Sequence, residues 1–340
     1  MKKRFDFIDG VKFFAMFLCV LGHMIQNGSY HPSPEDWNED YIFLFISSFH
    51  MPLFLFVSGI FLESSLKLTL PILLKKKAIQ LLLPAYIWNF LILTICYIIT
   101  LTTSLVVEYP TSILSPYWFL TLLFLSYIIG YCVVKYSKNR KQIFLNTLII
   151  CIGVIFLPQE SYSHINSFFP FFMAGYFMRN IILRDCSNRL ELTIITGALL
   201  SYLFFLHFWK FDYTVYLSPL DASCLLNPEM IYIAFYRFLI AMSAIILIVF
   251  VFKRFASILN NKMIRNLGSM TLGVYLLQSP IILLIGEFCP VDVSNHVLRD
   301  FVVLPAVSLV IYIFLVFIQM KICKNQYLAF VLFGKSSQYG

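Results

Sequence analysis

The chain has 340 residues, of which 60% are hydrophobic, 18% aromatic and 12% charged, with a mean hydropathy of +0.83 and a formal net charge of +8. Ordinary soluble domains carry about 25% charged residues, so this chain lacks the polar surface to cover a water-facing globule and its solvent is largely lipid. The same arithmetic excludes disordered, collagen-like and nucleic-acid-binding classes.

A membrane helix needs about 20 mostly apolar residues, and about ten such stretches follow one another. In chain order they are 11–30, 41–62, 79–102, 117–135, 142–157, 166–183, 190–209, 229–252, 268–286 and 301–320. The expected fold class is all-α: a polytopic membrane helix bundle occupying 1–340 as a single unit, with no appended soluble domain. The first stretch follows Met1-Lys2-Lys3-Arg4 and superficially resembles a secretory leader. It is too long, contains Lys12 and lacks a small-residue cleavage site, so it reads as an uncleaved first helix.

This first helix also carries an informative pair. Lys12 and His23 are eleven residues apart, an advance of roughly 16 Å and about three full turns, so both side chains leave one face. A cation then stands at one rim of the membrane and an imidazole well inside it. That arrangement suits a ligand with an anionic head and a long narrow arm whose reactive end reaches the interior, as in acyl-coenzyme A. An imidazole at the thioester can act as general base on an acceptor hydroxyl or as the nucleophile that first takes the acyl group. The competing reading is that Lys12 snorkels and His23 hydrogen-bonds inside the bundle.

The second helix places His50 at a depth similar to that of His23, since the two flank the loop 31–40 at comparable distances. Its run Phe49-His50-Met51-Pro52 continues to Gly59 and contains a proline in mid-span, which frees a carbonyl. His50 could equally serve as a helix-to-helix hydrogen bond. Lys77, with Lys75 and Lys76, stands at the edge of the third helix, and Arg237 lies within the eighth. Ionisable groups at membrane depth cost about 2.5–3.5 kcal/mol each on insertion scales and are functional candidates for that reason.

The basic residues set the topology. With the N-terminus in the cytoplasm and ten alternating spans, 22 of the 25 Lys and Arg residues fall on the cytoplasmic side. The exceptions are Lys210, Arg299 and the intramembrane Arg237. This is the positive-inside pattern for an even number of helices with both termini cytoplasmic. Acids such as Glu35, Asp40, Glu108, Asp212 and Asp300 sort to the opposite side. The eight cysteines have no metal-ligand spacing and read as small buried hydrophobes, with a Cys224–Cys289 disulfide left open.

In these residues and their spacing the chain resembles the acyltransferase-3 family of integral-membrane acyltransferases, many of which O-acetylate bacterial surface polysaccharides. The family's amino-terminal signature is a basic residue, ten residues, then histidine, which Lys12 to His23 matches, and Phe7-Ile8-Asp9-Gly10-Val11 is similar to its lead-in. Phe49 to Gly59, Trp118-Phe119-Leu120, Phe169 to Tyr176 and Leu267 to Leu276 resemble later family segments in order. Two positions depart from the pattern. Lys77 and Gln80, before Pro84, stand where many members have two arginines, and Gln278 stands where many have a histidine, so no acid-base role carries over to it.

The resemblance implies acetyl-CoA as donor and co-substrate, no metal, and a membrane location in the bacterial inner or plasma membrane. Lys12, Lys77, Lys76, Lys75 and Arg4 would hold the donor's phosphates, and His23 and His50 would be catalytic. Trp118, Arg237, Tyr275 and Gln278 would meet the acceptor, a carbohydrate hydroxyl on a surface or lipid-linked glycan. The rival readings are a multi-pass transporter or flippase for a sugar or lipid-linked glycan, and a non-catalytic component of a glycan-export complex. The sequence does not distinguish acetyl from other short acyl groups, and it leaves the acceptor hydroxyl and the oligomeric state open.

Overall fold

A computed structural model describes residues 5–29, 40–103, 117–156, 164–215, 218, 220, 222, 226–259, 261–293 and 295–335. The described residues form helices and turns without a β-strand; the single β-bridge joins Ser29 to Val291. In chain order the helices are α1 (Asp6–His23), α2 (Tyr41–Ser47), α3 (His50–Ile60), α4 (Leu62–Ser65), α5 (Leu70–Lys77) and α6 (Leu83–Thr103). They continue with α7 (Trp118–Lys135), α8 (Arg140–Gly153), α9 (Ile165–Leu183), α10 (Asn188–His207), α11 (Pro228–Arg254) and α12 (Ala256–Leu259). The last five are α13 (Lys262–Ser269), α14 (Thr271–Phe288), α15 (His296–Leu298), α16 (Leu304–Ile322) and α17 (Gln326–Phe333).

Among the described residues, eight helical segments are long and apolar enough to cross a membrane. The two other expected spans also exist as helices. The stretch expected at 142–157 is α8, only 14 residues long before a short 3₁₀ turn. The stretch at 166–183 is α9, long enough at 19 residues but diluted by Asn166, Pro170, Arg179 and Asn180. Asn166 is buried near the start of the helix, whereas Arg179 and Asn180 stand at its more exposed far end, where Arg179 pairs with Glu63.

Helix α1 is the most enclosed span: 72% of its apolar window is buried, against 17% for α10, whose Leu199, Leu200, Leu203 and Phe204 face outward. Around α1 the helices approach through small residues, the usual device where lipid supplies no hydrophobic drive between helices. A β-carbon on Gly268 would lie 2.0 Å from the Asp9 carbonyl oxygen of α1. Between α3 and α9 the contact is reciprocal. A β-carbon on Gly59 would lie 1.8 Å from Phe172 O, and one on Gly175 would lie 1.9 Å from Phe56 O.

Helix breaks follow from local sequence. The second span is interrupted at Ser48 and Phe49, four and three residues before Pro52. Pro52 cannot donate to the Ser48 carbonyl, and its ring crowds that carbonyl, so the discontinuity falls one turn upstream of the proline. Short π-helical segments at Ala78–Leu82 and Arg299–Val303 each end two residues before a proline, Pro84 and Pro305. There Leu83 N–H bonds Ala78 O and Leu304 N–H bonds Arg299 O, a wider turn that absorbs the missing donor. A third π segment, Met24–Gly28, follows His23 directly.

At that end of α1, Asp40 caps α2 through Phe43 N–H at 2.9 Å. Arg299 faces Asp40 at 4.0 Å and Asp300 at 2.6 Å. Burial, aided by Asp300, pushes the Asp40 carboxyl above its ordinary range despite the opposing Arg299.

Candidate active site

A cavity of the bundle is enclosed by α1, α2, α3, α7, α9, α11, α14 and the segment after α10, and holds about 840 Å³ of space between side chains, counting its open mouth. His23, His50, Trp118, Arg237 and Tyr275 all line it. Five positions spread over 250 residues, picked out by charge, aromaticity or motif, thus face a common space.

His23 ends α1, and its partner Gln26 lies in the π segment that follows. The wider turn brings a side chain three positions on to the imidazole. His50 begins α3 just after the break, so its ring reaches back to the Ile46 carbonyl at 2.8 Å from Nδ1. A carbonyl only accepts, so Nδ1 carries the hydrogen and the neutral ring keeps its lone pair on Nε2. The break upstream of Pro52 therefore fixes the tautomer of His50 as well as its direction.

Trp118 is set by aromatic packing, edge-on to His164 with centroids 5.3 Å apart and tilted over Phe168 at 5.7 Å. His164 adopts a left-handed backbone conformation, φ 57°, where α9 begins. Burial and the nearby Arg237 charge both lower the affinity of His164 for a proton. Tyr275 packs edge-on to Tyr117 and Phe119, at 5.9 and 5.8 Å. Arg237 spans several elements: Nε donates to Tyr213 O at 2.9 Å, one terminal nitrogen to Ser218 O at 2.6 Å and the other to Ser167 Oγ at 3.5 Å.

Gln278 stands behind the cavity wall. It is buried, and its amide nitrogen meets Cys19 Sγ at 3.3 Å, while Cys19 itself lines the cavity one turn before His23. The remaining expected positions lie toward the start of α1. Lys12 is half-buried, 3.5 Å from Asp9 and 5.1 Å above the Phe61 ring. Lys77 turns inward, its Nζ 3.3 Å over the Tyr127 ring, whose hydroxyl donates to Ser58 O. Ser58 and Phe61 lie three residues apart, so both cations gather at the end of α3 remote from His50. Lys75 is exposed and Lys76 half-buried beside them. Arg4 lies outside the described residues, as does Cys224 and therefore its pairing with Cys289.

Several lining residues carried no sequence signal. Trp209, Thr214 and Val215 come from the segment between α10 and α11, where neither periodicity nor motif marks them. Cys19 and Gln26 were detectable in principle, since they lie four residues before and three after His23 on the same helical surface. Among the described residues no group of three or more His, Cys, Asp or Glu is placed to hold a metal ion.

A family profile described as an acyltransferase domain matches residues 5–323. The chain belongs to this acyltransferase family. Two proteins, both named nodulation protein NolL, are similar over part of it. The protein from Sinorhizobium fredii is 26% identical over 196 residues, covering 55% of this chain and 51% of its own length. That from Mesorhizobium japonicum is 29% identical over 180 residues, covering 51% of this chain and 46% of its own. The chain thus spans about half the length of the curated relatives it matches. No solved structure matches. Family membership accounts for the motifs in register: Lys12 to His23 runs from one end of α1 to the cavity, and the glycines of the Phe49–Gly59 and Phe169–Tyr176 segments form the α3–α9 contact.

Proposed function

We propose that this protein is a membrane-embedded acyltransferase that moves an acetyl or other short acyl group from acyl-CoA to a hydroxyl of a surface or lipid-linked carbohydrate. The observation that carries the reading is the meeting of His23 and His50 in one cavity, with Lys12 toward the start of the helix that carries His23 and Lys75 and Lys76 on α5. In this reading the whole chain acts as a single acyltransferase unit in a bacterial plasma membrane, with both termini and the lysines in the cytoplasm.

The donor's phosphates are held by Lys12 with Lys75 and Lys76, as point charges rather than bidentate forks. Lys77 supports that surface from within, against Tyr127, and Arg4 is the remaining candidate. The pantetheine arm follows α1 inward over roughly 16 Å, the rise of eleven residues. His23 takes the proton of the acceptor hydroxyl as its oxygen attacks the thioester carbonyl. The carbon–sulfur bond breaks, and the departing thiolate receives the proton from the imidazolium. His50, with its lone pair on Nε2, orients the acceptor hydroxyl or relays the proton. Trp118 and Tyr275 supply aromatic faces, and Gln278 supports the wall at Cys19.

Charge reversal tests the donor surface. Lys12→Glu is expected to raise KM for acyl-CoA about tenfold or more while leaving KM for the acceptor nearly unchanged, because it removes attraction for phosphate and adds repulsion. Steady-state kinetics with each substrate varied in turn checks this, and an unaltered donor KM refutes the role. The reading as a whole is tested by comparing the surface glycans of cells with and without the gene. Loss of a base-labile acyl ester on deletion is expected, and identical ester content contradicts it.

A further inference from the structure

At the end of the cavity remote from Lys12, two lining residues carry polar atoms that satisfy nothing. Trp209 is 7% exposed and Thr214 is 3% exposed, and both face the cavity. Among the described residues, neither Trp209 Nε1 nor Thr214 Oγ1 has a hydrogen-bond partner. A buried donor left unmatched is a standing penalty, and native proteins keep few such groups. Two on one short segment, facing one space, indicate a site whose partner arrives from outside the chain.

The segment is held firmly enough for this purpose. Arg237 grips the Tyr213 carbonyl next to Thr214 and the Ser218 carbonyl beyond it. The Trp209 indole lies parallel to the Tyr236 ring, centroids 6.4 Å apart, and Tyr236 is itself bonded to Phe205 O. Phe211 packs on Phe43 of α2 at 6.2 Å. Arg237 is therefore a positioning residue for this segment as well as part of the wall.

We propose that Trp209 Nε1–H and Thr214 Oγ1 form the acceptor subsite, and that they bind hydroxyl groups of a carbohydrate ring. This inference rests on the acyl-transfer reading above and names the acceptor's binding groups. The donor and acceptor inventory selects the ligand. An indole N–H only donates, while a threonine hydroxyl both donates and accepts. A sugar hydroxyl answers both in full, whereas a phosphate accepts from both but leaves the threonine lone pairs unmatched, and an acyl chain has neither donor nor acceptor. The nearby faces of Trp118 and Phe168 suit the C–H surface of a sugar ring. The donor's anionic head is placed elsewhere, at the lysines toward the start of α1.

Trp209→Phe keeps the aromatic face and removes the N–H; Thr214→Val keeps the shape and removes the hydroxyl. In the purified full-length protein, with deacylated surface glycan from gene-deleted cells as acceptor, each is expected to raise acceptor KM about three- to tenfold. KM for acyl-CoA should stay unchanged. For Thr214→Val the melting temperature should hold or rise, because no internal bond is lost and an unmatched polar group is removed, whereas a structural role predicts a lower one. Binding of the same glycan without donor is measured in parallel by titration calorimetry. If wild-type protein acylates glycan and both variants keep its acceptor KM, or if only donor KM rises, the subsite is overturned while acyl transfer stands. If no glycan is acylated but its binding weakens in both variants, the subsite stands and the acyl-transfer reading falls.

Discussion

His23→Ala is expected to reduce acyl transfer by about 10²–10⁴-fold, the range for loss of a positioned general base, while the protein stays folded and inserted. His23 is the residue in which three separate constraints coincide. It lies eleven residues from Lys12, at the end of the most enclosed span, and on the wall of the cavity shared with His50. The π segment just after it supplies Gln26 as a partner for the ring. Alanine removes the imidazole without introducing bulk, so the melting temperature in detergent should change little. Transfer at the wild-type rate would show that His23 is a packing residue.

The second large effect concerns architecture. Gly175→Val is expected to destabilise the protein by about 3 kcal/mol or more, at or beyond the upper end of ordinary overpacking penalties. The new β-carbon would stand 1.9 Å from Phe56 O, and the obstruction is backbone, which cannot swing aside as a flexible side chain can. Relief requires α3 and α9 to separate, which would shift His50 at one end of α3 and Phe168 at the start of α9. Gly197 is the internal control, since a β-carbon there would point into open space, with no atom beyond its own stretch of helix within 4 Å. Gly197→Ala should be neutral or stabilise the helix by up to about 1 kcal/mol. Thermal unfolding of both variants in detergent checks the contrast, and equal melting temperatures would contradict the close α3–α9 contact.

Long-range order was legible in the sequence where a regular helix carries it. Eleven residues on α1 translate directly into depth and facing, and the hairpin through 31–40 predicts that His23 and His50 share a depth; both line one cavity. The family motifs pointed to the right segments, although their glycines turn out to position α3 against α9 rather than to touch the cavity. What could not be read depended on tertiary context. α9 falls short of a uniformly apolar span because Asn166 is buried among neighbouring helices at one end and Arg179 and Asn180 stand at its more exposed other end. The break at Ser48 and Phe49 follows from Pro52, but its effect on the His50 tautomer requires the position of the Ile46 carbonyl. Lys77, expected with Lys12 as a phosphate ligand, gathers at the same end of α3 and lies over the Tyr127 ring, a contact made across 50 residues. Trp209 and Thr214 come from a non-periodic connection whose conformation is imposed by Arg237 on another helix.

The most direct test of the acyl-transfer reading is to incubate the purified protein, reconstituted in vesicles, with acyl-labelled acetyl-CoA and deacylated surface glycan. The expected result is label covalently attached to glycan, released by mild base, dependent on His23 and accompanied by free CoA. Accumulation of glycan inside the vesicles without covalent label would instead identify a carrier and contradict the account.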